Sequence, residues 1–117
     1  MQSTHTARES YSTAEKARIT TECAYQTARL EWSAARRIYT ATLKAHSYNE
    51  YAAAVIAAAA DRENAENAMH AAWSAQISAA VDAKVARAVF ENVMYANNCS
   101  ALERFSAAVQ MIFIPRN

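Results

Sequence analysis

The stretch YQTARLEWSAARRIYTATLKAH, residues 25–46, decides the fold. Tyr25, Trp32, Tyr39 and His46 recur every seven residues. Ala28, Ala35 and Thr42 fall between them with the same period. The combined spacing alternates three and four, the apolar seam of a heptad repeat. A strand would instead alternate every second residue. Large side chains beside alanine gaps let a partner helix approach closely. Traced backward, the large series reaches Arg18 and Tyr11, so the seam becomes more polar towards its start.

Composition points the same way. The 117 residues include no glycine and one proline. Thirty are alanine, the strongest helix former. A globular chain averages roughly 7% glycine. Without any, Gly-rich phosphate loops and dinucleotide-binding turns cannot be built, and most tight hairpin turns are disfavoured. The chain is therefore expected to be all-α, a single domain over 1–117. It reads either as a helical bundle or as an elongated antiparallel helical hairpin with a short third C-terminal helix.

Capping boxes, Ser or Thr followed three places later by Glu or Gln, occur at Thr6…Glu9, Ser12…Glu15, Ser47…Glu50 and Ser100…Glu103. They predict helices over about 12–46, 48–96 and 101–113. Asn97-Asn98 is read as the stop of the second, because asparagine tolerates the left-handed backbone in place of glycine. Pro115 closes the third. The second helix either runs unbroken or breaks at Asp61–Asn64 or near Asp82, and a break would give a compact bundle. Along it Tyr51, Val55, Ala58, Arg62, Ala65, Met69 and Ala72 share one face. Ile56, Ala59, Trp73 and Ile77 share another, and Val81, Val85, Val89 and Val93 recur every four residues, a stripe that wraps. Leu102, Phe105, Val109 and Ile112 give the C-terminal segment an apolar face.

Leu, Ile, Val and Phe together supply only 18 residues. The core is expected to be thin and alanine-rich, studded with aromatics. Such a core is weak for the chain's length, which implies a partner surface that completes it. Net charge is +1, with seven basic and four acidic residues in 1–46 against five and seven in 47–117. That balance argues against nucleic acid as a direct partner. No apolar run approaches the ~20 residues of a membrane span. The polar start Met1-Gln2-Ser3-Thr4 and the two cysteines, Cys23 and Cys99, read as a cytoplasmic chain with reduced thiols.

Glu63, Glu66 and His70 resemble metal-ligand spacing, yet Glu66 to His70 is one residue longer than the Glu-x-x-His of di-iron bundles, and a solvated polar face is the expected reading. Cys23 falls inside a helix and Cys99 in the connection before the third. Catalytic residues favour loops, and loops are nearly absent. No catalytic residue, metal ligand or cofactor is therefore expected. The candidate partner-binding residues are Tyr11, Tyr25, Arg29, Trp32, Arg36, Arg37, Tyr39, Tyr48 and Tyr51, since Tyr, Trp and Arg dominate interface hot spots. Trp32 and Trp73 are expected in the core, and Tyr11, Tyr48 and Tyr51, near helix ends, outward. The function expected is a non-enzymatic protein-binding module. One instance is a phage or mobile-element inhibitor of a host machine, such as an anti-CRISPR protein. The alternative is a structural or assembly protein that forms homo-oligomers, the homodimer first.

Overall fold

The computed structural model describes residues 3–113, with side chains for all of these except 107, 108 and 110–113. It contains two helices, α1 (Thr4–Ala45) and α2 (Ala53–Phe113), and no strand among the described residues. They fold back on each other as a hairpin with extents of 103 × 19 × 13 Å. The protein is a rod two helices across.

α1 begins where Ser3, in extended conformation, caps it. The Ser3 hydroxyl accepts from the Thr6 backbone N–H at 3.1 Å. The boxes at Thr6 and Ser12 therefore lie inside the helix, eight residues of which precede the expected start at 12. The reason is packing: Ala7 is buried and Tyr11 meets α2, so the seam carries the helix past both candidate caps.

The turn between the helices solves the absence of glycine at a cost. The Tyr48 N–H donates to the Leu43 carbonyl at 2.8 Å, and the Ser47 N–H to Lys44 at 3.1 Å. This is the Schellman pattern, whose residue after the cap adopts a left-handed conformation usually given to glycine. Ser47 takes it here with φ 56°, and Tyr48 follows with φ 62°. Ser47 is thus a helix terminator and not the N-cap of the next helix, which starts five residues later than expected. Before α2, the Asn49 side chain accepts from the Tyr51 N–H at 3.0 Å.

α2 runs unbroken for 61 residues. Neither Asp61–Asn64 nor Asp82 interrupts it, and the expected stop at Asn97-Asn98 and third helix over 101–113 are one with it. Asn97 remains helical and donates its side-chain amide to the Thr4 hydroxyl across the hairpin. Its polar group finds a partner in α1, so it has no need to turn the backbone. Pro115 lies outside the described residues.

The seam is the one the heptads mark. On α1 Tyr11, Arg18, Tyr25, Trp32 and Tyr39 are half-buried, alternating with Ala14, Thr21, Ala28, Ala35 and Thr42. His46, the last of the large series, is the exposed C-cap. On α2 Val55, Arg62, Met69, Gln76, Ala83 and Phe90 alternate with Ala58, Ala65, Ala72, Ala79, Ala86 and Val93, all buried or half-buried. Three cross-helix contacts set the register: Thr4 with Asn97, Tyr11 with Phe90, and Tyr39 with Arg62. From the first to the second, both helices move seven residues in opposite directions, and from the second to the third both move four further heptads. A strict seven-residue repeat of this kind imposes a left-handed supercoil.

Among the described residues the buried hydrophobic ones are Ala7, Ala28, Val55, Ala58, Ala79 and Ala83. Alanine at the contact line brings the helices close, but each buried methyl removes little apolar area from water. The accessible surface is 9024 Å². A compact monomer of 12.9 kDa would expose only ~6,300 Å².

Candidate partner-binding surface

The two broad sides of the rod differ. A helix residue one or four places after a seam position lies on one flank, and one before it lies on the other. The first flank carries the arginine–glutamate ion pairs. Arg18 is held by Glu15 at 2.7 Å and Glu22 at 3.2 Å, and Arg87 by Glu91 at 2.9 Å. Both guanidinium groups have pKa values raised above the ordinary, chiefly by the hydrogen bonds from Arg18 to Glu15 and from Arg87 to Glu91. A raised arginine pKa contributes stability below the unfolded value for as long as the partner carboxylate is ionised, and on the alkaline side loses it only as pH climbs through the raised value. These pairs therefore do not switch near neutrality.

On the same flank arginine and aromatic side chains alternate. The Arg29 guanidinium lies 5.8 Å from the Tyr25 ring centre, and Arg36 lies 4.7 Å from Trp32. Both pairs are one turn apart on α1, so the ring rests in the seam and the cation covers its outer face. Arg62 completes the series from the other helix, 4.1 Å from the Tyr39 ring. A cation within ~6 Å of a ring face is attracted by the ring quadrupole. The contact orders the guanidinium while leaving its N–H donors outward. Arg29, Arg36 and Arg37 are exposed. A shallow depression on the outer face of α1 is lined by Ser33, Arg36, Arg37, Thr40, Ala41 and Lys44. Three cations thus stand within nine residues.

The groove on the opposite flank is lined mainly by small residues, Ser10, Thr13 and Ala17 of α1 and Ala75 and Ser78 of α2 among them, with the carboxylates Glu9 and Asp82 at its edge.

The structure divides the sequence-predicted residues. Tyr25, Trp32 and Tyr39 are half-buried in the seam, and Arg29 and Arg36 cover the first two. Arg37 is exposed beside them. Tyr48 and Tyr51 point outward at the turn, 66% and 87% exposed, far from the arginines at the other end of this group. Tyr11, expected outward, instead packs edge-on against Phe90 at 5.7 Å and 75°. The helix starts earlier than expected, which places Tyr11 two turns inside it. Trp73, expected in the core, is 49% exposed on the charged flank, against a notch it shares with Tyr25, Met69 and His70. Arg62 and Phe90 were not among the predicted residues. Both stand in α2's own seven-residue series with Val55, Met69 and Ala83, and that series was the signal.

The remaining chemistry is sparse. Glu66 and His70 approach to 3.7 Å, both exposed. Among the described residues no three His, Cys, Asp or Glu side chains converge as a metal site. Cys23 is exposed and Cys99 half-buried, both free thiols. Cys99 stands within α2 and not in a connection. The register puts the two roughly 30 Å apart along the rod, too far for a disulfide within the chain. No described helix is long and apolar enough to cross a membrane. The chain matched nothing when compared with protein-family models, with curated proteins and with solved structures.

Proposed function

We propose that this protein is a non-enzymatic protein-binding rod that works in the cytoplasm and engages an acidic surface of another protein through the arginine–aromatic flank of α1. The supporting observation is the ordering of Arg29 and Arg36 over Tyr25 and Trp32, with Arg37 and Lys44 exposed alongside. Arginines held this way lose little side-chain entropy on binding, and a planar guanidinium pairs carboxylates in two-pronged fashion. An inhibitor of a host complex, the anti-CRISPR type included, is one instance of this class.

The test is capture from host lysate by the tagged protein, compared with Arg29→Glu, Arg36→Glu and Arg37→Glu. Capture that weakens with each variant while the helical content stays unchanged supports the flank. Capture indifferent to all three removes it.

A second reading, an assembly protein that forms homo-oligomers, rests on a separate observation. The chain exposes ~2,700 Å² more than a compact monomer of its mass. A standard interface takes about 800 Å² from each partner. Mass by light scattering tests it directly.

A further inference from the structure

The back of α2 carries a second heptad seam. Directly opposite the α1 contact line, one column holds Val81, Ala88, Tyr95, Leu102 and Val109. The neighbouring column holds Val85, Asn92, Cys99 and Ser106. Together they alternate at spacings of four and three over 29 residues, ~43 Å of helix. Val81, Val85, Tyr95 and Leu102 are 56%, 58%, 72% and 67% exposed. Upstream, the same two columns turn polar and small, with Asn64, Asn67, Ser74 and Ser78. The outward column of α1 holds Glu9, Lys16, Cys23, Leu30, Arg37 and Lys44, with Leu30 as its one large aliphatic residue. The continuous two-column run thus lies in the last half of α2. Part of that half, from Asn98 onward, runs past Thr4 and the start of α1. A helix of this length without tertiary packing is marginal in water.

We propose that a second copy of this chain docks here, the two α2 helices pairing in parallel and in register, with each α1 on the outside. This deepens the assembly reading above and rests on it. Three features select a second copy over a foreign helix and parallel over antiparallel. The rod exposes ~2,700 Å² beyond a compact monomer of its mass, more than the ~800 Å² per partner that a standard interface takes. Asn92 is the device by which two-stranded parallel coiled coils specify register, because its amide is satisfied by the identical residue of the partner. An antiparallel pairing would set that amide against the other column, which holds Tyr95 and otherwise apolar residues, and never against its own equivalent. In the parallel arrangement the residues that flank the seam oppose no like charges: Lys84 faces Val89, Glu91 faces Ala96, and Asn98 faces Glu103 of the partner copy's equivalent positions.

The same arrangement brings Cys99 against its counterpart, and that supplies the test. The full chain carrying Cys23→Ser has Cys99 as its one thiol. Its mass is measured by light scattering, and it is treated with diamide, which accepts two electrons and two protons as two thiols become one disulfide. The expected result is twice the chain mass of 12.9 kDa and a covalent dimer within minutes on a non-reducing gel. Leu102→Lys and Val85→Lys should each weaken the dimer on the order of 100-fold by placing two ammonium groups in an apolar seam. Both sites are exposed in the hairpin, so the variants keep their helical content. The chain mass at every concentration overturns the assembly reading and this proposal with it. A dimer that fails to cross-link through Cys99, or that survives both lysines, leaves assembly standing and overturns this seam.

Discussion

The guanidinium of Arg62 lies 4.1 Å from the centre of the Tyr39 ring and joins the two helices near the turn. Arg62 occupies a position of the α2 series that elsewhere holds Val55, Met69 and Phe90. A charge tolerated in a seam needs a partner that compensates its partial desolvation, and the ring face supplies one. Arg62→Ala should lower stability by about 1 kcal/mol. A double-mutant cycle with Tyr39→Leu should show coupling of about 0.5–1 kcal/mol. Additive effects would mean that the contact contributes nothing.

The alanine contact line sets how closely the helices approach. Ala28 is 8% exposed and Ala24, one turn earlier, is exposed. Ala28→Leu should destabilise the hairpin by about 1–3 kcal/mol, because the added carbons have no room unless the helices separate. Ala24→Leu should fall within about 0.5 kcal/mol of the parent. Urea unfolding of both variants checks the contrast, and equal effects would place the contact line elsewhere.

Ser47 stands where a Schellman turn favours glycine. A non-glycine residue in the left-handed region carries a penalty of roughly 1–2 kcal/mol, part of which glycine returns through its freer unfolded state. Ser47→Gly should therefore raise stability by about 0.5–1 kcal/mol, and Ser47→Val should lower it. A melting-temperature series reads the order Gly above Ser above Val.

Trp32 and Arg36 separate stability from binding. Trp32 is half-buried, and Arg36 is exposed above its ring at 4.7 Å. Trp32→Ala should destabilise the fold by about 2–3 kcal/mol, below the full cost of a wholly buried tryptophan. Arg36→Ala should change stability by less than about 1 kcal/mol while weakening partner capture. Thermal melts beside a capture assay decide the matter, and a large stability loss in Arg36→Ala would make it a structural residue.

Much of this fold is legible in the chain because a heptad is a local property. The seven-residue series of Tyr25, Trp32 and Tyr39, and that of Val55, Arg62 and Met69, each announce a face without reference to the other. Helix ends are another matter. Thr6…Glu9, Ser12…Glu15 and Ser100…Glu103 all have the composition of a cap, yet all three lie within helices. A cap contributes about 1 kcal/mol, whereas continuing a helix adds a hydrogen bond per residue and, along a seam, buried area as well. Packing therefore overrides a local stop. Ser3, with no acidic residue three places on, is the cap that operates.

The sequence by itself determined the helical class, the seam of α1 through Tyr25, Trp32 and Tyr39, and the first part of that of α2, since alanine content, missing glycine and period act through neighbours in the chain. Only the tertiary structure decided that Arg62 meets Tyr39, that Tyr11 meets Phe90, that α2 continues through Asn97 and Asn98, and that Cys99 lies within that helix and not in a turn. Those outcomes depend on the register between two helices, and register is settled by both faces fitting together at once.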